Sequence, residues 1–450
     1  MKRNGKKSRK IRKLIVACTL SAVVLIVATY TWFIGMQNVS VNPFEIEIAT
    51  TEGLFLSMDG ETWLYNLDVT DYINDANTEL FDGETNTWAT GGLIPMSTIG
   101  KLDEASSRMK LYEKASLTTS PGGYRLLASQ VQNGVGTDGK LMQGEGYVAF
   151  DLFIKNLSGS EYYPTNQVLN EEAIYLTTDS TVEVKNTGST DTQLLTGIEN
   201  SLRVGFAQIG RVEASTSEVG TITGIKCEDT YVGEGSGKTQ VVTKICRDAQ
   251  IWEPNDLDHV QNALNWYNKS CISRKTAGTD VTLPASYNLA VYDTDGSLKT
   301  AAGTCAEIKK TNDLYNYVTT YAISDEIKIA DNVDVYDGHN SYKGSIYDQT
   351  NNATGKLHVH DYFTDTEKNY TGTARPEFMT LAPNSITKVR VYIWLEGQDI
   401  DNYDFAQLGK TISINFGFTK ERFTETDVDY NGPDLVTSDN ADIETPDKAE

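Results

Sequence analysis

Four histidines and a few acid-rich turns are the residues of this chain with the types and spacing to do chemistry. No H-E-x-x-H is present, which excludes the helical zinc-protease arrangement. His358-Val359-His360 on a strand would place both imidazoles on one face, a two-point metal site for which no third ligand can be named; a solvated strand face is the better account of the pair. The segment Trp252-Glu253-Pro254-Asn255 followed by His259 is the most unusual local cluster. Its Glu and His could serve as metal ligands or as an acid/base pair, and the same residues also make a helix-start turn with a packed Trp, the preferred reading. Asp293-Thr294-Asp295-Gly296 matches part of a calcium loop but lacks the remainder, so it is expected to be a turn. There is no G-x-S-x-G and no P-loop. With 62 acidic residues, any pair of carboxylates chosen for glycoside hydrolysis is arbitrary. No catalytic residue, cofactor ligand or metal site follows from the sequence, and the protein is expected not to be an enzyme.

The elements that would position these residues are mainly strands. Phe44, Ile46 and Ile48 alternate with Glu45 and Glu47; Val148, Phe150, Leu152 and Ile154 share a face, as do Leu202, Val204 and Phe206. Val389, Val391, Ile393 and Leu395 oppose Arg390, Tyr392 and Trp394, and Ile412, Ile414, Phe416 and Phe418 form a last strong strand. Period-two alternation of this kind predicts half-buried antiparallel strands packed face to face. The expected organisation is a basic segment 1–13, an apolar helix 14–36, and a β-sandwich in two parts, 37–225 and 351–423. A mixed α+β insertion at 226–350 separates the two parts, and an acidic, disordered tail occupies 424–450. Helical spacing at Leu257, Val260, Ala263, Leu264 and Tyr267 predicts a helix in the insertion, with weaker ones from Asp313 to Ala322 and from Glu104 to Lys114.

Residues 1–13 carry eight Lys/Arg and no acid. Removing those eight from the 39 basic residues leaves 31 against 62 acids, so residues 14–450 carry −31. Such a surface repels nucleic acid. Leu14 to Met36 is long enough as a helix to cross a bilayer, and the preceding cations place the N-terminus inside and the remainder outside. The helix either persists as a membrane anchor or is removed as a signal peptide. Cys18 lies within it. The other cysteines, Cys227, Cys246, Cys271 and Cys305, fall in the exported part, where disulfides persist. A hairpin turning near Ser236 would bring Cys227 opposite Cys246, favouring the pairs Cys227–Cys246 and Cys271–Cys305 among the three pairings that four cysteines allow.

Ala28-Thr29-Tyr30-Thr31-Trp32-Phe33, then Val39-Ser40-Val41 leading into Phe44-Glu45-Ile46-Glu47-Ile48-Ala49, resemble the start of exported TasA/camelysin-type proteins of Gram-positive bacteria. In that group a SipW-type signal peptidase removes the leader and a β-rich domain starts at once. The strands Val391–Gly397 and Ile412–Phe416 also resemble large clostridial surface proteins that begin this way. The resemblance implies a jelly-roll-like sandwich and a structural role in extracellular matrix, fibre or coat. An extended Val39–Ala49, with Phe44, Ile46 and Ile48 as pocket-filling side chains, could add to the sheet of a neighbouring copy, or simply form the first strand of its own sheet, which is the preferred expectation. The leading expectation is an exported envelope or matrix protein whose partners are the lipid bilayer, further copies or other surface proteins. A tethered carbohydrate- or ligand-binding sandwich comes second, and a metal-dependent hydrolase last.

Overall fold

A computed structural model of the chain describes residues 44–51, 53–71, 93–113, 116–120, 123–128, 131, 146–159, 161–185, 197–261, 263, 321–323, 334–336, 341–343, 345–347, 357–359, 362–399, 401–402 and 411–420. They are mainly β, and most strand pairs are antiparallel. Two sheets carry the architecture. The first runs Met379–Leu381, Glu172–Leu176, Thr411–Thr419, Phe44–Thr50, Asn66–Asp68, with Thr181–Lys185 also paired to Thr411–Thr419. The second runs Thr230–Val232, Thr239–Lys244, Leu202–Glu213, Ser385–Glu396, Val148–Asn156, Leu54–Ser57. Gln250–Glu253 joins its Leu202–Glu213 strand, and Pro95–Ser97 runs parallel to the end of Ser385–Glu396.

Alternation explains which faces meet. Ile46, Ile48, Ile412, Ile414, Phe416 and Phe418 from the first sheet share one core with Phe150, Leu152, Val204, Phe206, Val389 and Val391 from the second. Phe206 sits at its centre, edge-on to Phe378 and Phe416 at 5.1 Å each. Burying each such side chain contributes about 1.5–3 kcal/mol. The opposite face of the second sheet is covered as well. Ile209, Val212, Tyr392 and Trp394 pack there against Met96, Met109, Leu111, Ile222 and Ile225. The strand Ser385–Glu396, expected to be half-buried, is therefore buried at every residue. Gly205 makes room for this layer: a Cβ there would stand 3.0 Å from the Trp394 ring.

Several expectations change. Of the helix expected over Glu104–Lys114, the described residues Glu104–Glu113 are not helical; Leu102–Asp103 and Arg108–Met109 form a hairpin, with Ser107 at φ 55°. Met109 and Leu111 both enter the second core at a two-residue spacing, which a strand satisfies and a helix does not. Within the part expected to be an insertion, Thr239–Lys244 and Gln250–Glu253 are hydrogen-bonded to Leu202–Glu213 of the second sheet. Of the helix expected from Leu257, Gln261 and Ala263 are described and helical, while Tyr321–Ile323, at the end of the weaker one, is a strand paired with Leu357–Val359. The apolar segment 14–36, the tail, Asp293–Gly296, His360, Cys18, Cys271 and Cys305 lie outside the described residues. Among the described residues no helix is long and apolar enough to cross a membrane.

Cys227 and Cys246 are joined in a disulfide with Cα atoms 5.3 Å apart. The hairpin drawn from the sequence is there: Val232 faces Thr239 across the turn at Gly235–Gly237.

Candidate functional site

Three buried ionic clusters collect the polar side chains with chemical capability. The first contains Glu253 and His259, the pair singled out by the sequence. The strand Gln250–Glu253 pairs with Leu202–Glu213 and brings Glu253 to Arg203, which is fully buried. One guanidinium nitrogen of Arg203 binds both Glu253 and, at 2.6 Å, Asp399. Its other terminal nitrogen donates to the carbonyls of Asn200 and Leu202, each at 2.9 Å. The turn after Ser385–Glu396 adds Asp399 and Asp401, and the Asp401 amide donates to Asp399 Oδ1 at 2.8 Å. Asp401 in turn accepts from the Val260 amide at 3.0 Å and lies 2.7 Å from His259 Nδ1. Gly197 permits this approach, since a Cβ at its φ of 77° would stand 2.7 Å from Val260 and 2.8 Å from Asp401 Oδ1. Tyr362 lies under Arg203 at 5.4 Å and donates to Glu396 Oε2 at 3.1 Å.

Four carboxyl groups thus surround one guanidinium and one imidazole. Burial pushes the Glu396 carboxyl up to about 7, only partly offset by Arg203. Burial and the neighbouring Asp399 push Asp401 up to about 6. Burial opposes charge on His259 as well, but Asp401 holds its pKa above the usual value. Arg203 also resists its own burial, because Glu253 and Asp399 hold its pKa up. His259, Asp399 and Asp401 each offer an atom within 4.8 Å of the others, a spacing a divalent cation accepts. The carboxylate oxygens of Asp399 and Asp401 and His259 Nδ1 already serve Arg203, the Asp401 and Val260 amides and each other. A cation would have to displace those bonds, so the geometry favours a self-contained ion network. The helix-start turn with a packed Trp also holds in part: Trp252 is fully buried, and its indole nitrogen donates to Asp365 at 2.8 Å.

The second cluster was missed by sequence reasoning. Glu171 accepts from Arg211 and from both terminal nitrogens of Arg247, one of them at 2.7 Å. Thr380 Oγ1 donates to Glu171 Oε2 at 2.6 Å. Burial opposes the charge, yet the hydrogen bonds from Arg247, Thr380 and Arg211 hold the Glu171 pKa below its usual value. Its residues come from four places in the chain, at 171, 208–211, 247 and 380, so no local motif announces it.

A third ionic group has its charges on neighbouring strands. Asp151 accepts from Arg390 at 2.6 and 2.9 Å and pairs with Lys388 at 2.8 Å. Despite burial, these cations hold Asp151 at about 2.

Of the strand-addition residues, Ile46 and Ile48 are buried in the main core. Their strand Phe44–Thr50 is paired on both edges within its own chain, in parallel with Thr411–Thr419 and antiparallel with Asn66–Asp68, and Phe44 faces Ile412 in that register. The expectation of an ordinary first strand describes this arrangement. His358 falls on Leu357–Val359, opposite Ala322.

No family model, curated protein or solved structure matches the chain.

Proposed function

We propose that this chain is an exported structural protein of the cell envelope or extracellular matrix, built on a jelly-roll-like sandwich, whose copies join by exchanging the strand Phe44–Thr50. The observation that carries the reading is the parallel pairing of that strand with Thr411–Thr419 over seven residues in the interior of the first sheet. Strands so paired are not joined by a hairpin, and the strand that follows Phe44–Thr50 in the chain, Leu54–Ser57, lies in the other sheet. A groove that accepts Ile46 and Ile48 from its own chain has the same shape for those of a second copy, and main-chain hydrogen bonds supply the affinity. Export is supported by the Cys227–Cys246 disulfide and by the basic-then-apolar N-terminus. The resemblance of residues 28–49 to TasA/camelysin-type proteins points the same way. The proposed partners are the bilayer or further copies and other surface proteins, and no catalytic role is assigned.

The test is assembly in solution. Fibres or oligomers should grow with concentration, fail when residues 39–49 are deleted, and be blocked by a synthetic peptide of that segment. A chain that stays monomeric at every concentration, with a deletion variant that does not take up the peptide, would overturn the reading. Sequencing the N-terminus of the protein from producing cells separates release from anchoring.

One observation favours the second reading, a ligand-binding sandwich. Phe55 and Tyr65 have ring centroids 4.5 Å apart, and Lys155 lies 5.1 Å over the nearby Trp63 ring. Tyr65 is 49% exposed, so this margin of the second sheet offers an aromatic platform of the kind sugars stack upon. Saturable glycan binding by a monomer, lost in Tyr65→Ala, would favour it.

A further inference from the structure

The cluster around Glu171 holds the parts of an acyl transfer, and they come from both sheets. Thr380 lies on Met379–Leu381 of the first sheet and Gln208 on Leu202–Glu213 of the second. The Thr380 hydroxyl donates to Glu171 Oε2 at 2.6 Å, the separation of a nucleophile from its base. Arg247 Nη1 stands 3.1 Å from Thr380 Oγ1 and 3.2 Å from Gln208 Oε1. Gln208 Nε2 donates to the Thr380 carbonyl oxygen at 2.6 Å. Hydroxyl, base, carboxamide and a cation on the carboxamide oxygen therefore close one hydrogen-bonded ring. The strand carrying Gln208 shifts register between Gln208 and Gly210, and such bulges re-aim side chains. The Glu171 and Arg211 side chains are wholly shielded, and Gln208 is buried, so water is largely kept from the carboxamide.

We infer that Thr380 and Gln208 become joined by an ester formed within the folded chain, a covalent tie between the two sheets. Thr380 Oγ1 attacks Gln208 Cδ while its proton passes to Glu171. The charge developing on Gln208 Oε1 is met by Arg247, as an oxyanion donor would meet it. The Cδ–Nε2 bond then breaks, and Glu171 returns the proton as the nitrogen leaves as ammonia. One hydroxyl and one carboxamide give one ester and one ammonia, with no oxidant, reductant or co-reactant. A carboxylate held between two guanidinium groups is a weak base, so the reaction is slow. Fixed proximity offsets this, because oriented intramolecular groups reach effective molarities of roughly 10⁵–10⁸ M, and each molecule reacts once. The inference is independent of strand exchange and of the compartment.

The full-length protein, purified, denatured, reduced and digested with trypsin, decides the matter. Gln208 falls in peptide 204–211 and Thr380 in peptide 369–388. The expected product is one species joining the two, lighter than their sum by one ammonia. Hydroxylamine should split it and leave a hydroxamate at Gln208. Thr380→Ser should retain the link and Thr380→Val should abolish it. Recovery of both peptides separate and unmodified from the wild-type protein would overturn the inference, and so would conversion of Gln208 to glutamate without a link, which would mean that water takes the acyl group. The wild-type digest alone suffices if Thr380→Val does not fold.

Discussion

The Arg203 and Glu171 clusters are inverse solutions to burying charge. In the first, four carboxyl groups share one guanidinium and one imidazole; in the second, one carboxylate lies between two guanidinium groups. An excess of carboxyls can be relieved by taking up protons, and Glu396 at about 7 and Asp401 at about 6 do so near neutrality. An excess of guanidinium cannot be relieved that way, because arginine does not give up its proton. One cluster is therefore sensitive to pH in the range where the other is fixed.

The largest effects come from removing each hub. Arg203→Met leaves the carboxyls without their cation and is expected to cost about 3–5 kcal/mol at pH 8, as breaking a buried pair does. The loss should shrink at pH 5, where Glu396 and Asp401 are protonated. Glu171→Gln strands two guanidinium groups and also removes the base for the Thr380–Gln208 link, so it is expected to cost at least a similar amount, equal at both pH values. Urea unfolding at pH 5 and pH 8 checks both, and equal pH dependence in the two variants would erase the distinction. Next comes the disulfide. Removing Cys227–Cys246, which spans 19 residues, is expected to cost about 3 kcal/mol. Cys246 directly precedes Arg247, so hydrogen exchange should rise around the Glu171 cluster and stay unchanged around Arg203.

Glu396→Gln sharpens the comparison with a smaller effect of opposite sign. The folded pKa of Glu396 lies above the unfolded value of 4.5, so its contribution is fully present below 4.5 and is lost as pH rises through about 7. Asp401 and His259 are also raised and act in the same direction. The wild type should therefore be less stable at pH 8 than at pH 5. Glu396→Gln should remove on the order of 1–3 kcal/mol of that loss. Asp151 and Glu171, both lowered, lose their contributions only in acid below their unfolded values, outside this window. A wild-type melting temperature that rises from pH 5 to pH 8 would contradict this assignment.

The strands were legible because their apolar spacing is local: Ile412 to Phe418 and Val389 to Leu395 alternate and lie where alternation puts them. The Cys227–Cys246 bridge was legible because a glycine-rich turn folds its two ends together. Alternation reports one buried face, so the second layer over Tyr392 and Trp394 was not readable; that face carries Lys388 and Arg390, which look solvated until Asp151 is set beside them. Half of the first cluster was visible as Glu253 and His259, six residues apart. The other half, Arg203, Asp399 and Asp401, arrives through tertiary pairing between residues far apart in the chain, and the Glu171 cluster arrives wholly that way.

The smallest effect concerns an ion pair that is not buried. Lys185 pairs with Glu45, with side chains 51% and 39% exposed, and the two lie on strands that flank Thr411–Thr419. Water solvates both charges whether or not they meet, so Lys185→Ala is expected to change stability by less than about 1 kcal/mol, and by less still in high salt. Set beside Glu171→Gln, this separates burial from pairing as the source of the larger costs. The variant also bears on strand exchange, since Glu45 belongs to Phe44–Thr50. If Lys185→Ala leaves stability unchanged, that strand is held by Ile46, Ile48 and its main-chain bonds, which a second copy can supply equally. A loss of several kcal/mol would mean that the pair pins the strand to its own sheet, and exchange would then have to break it.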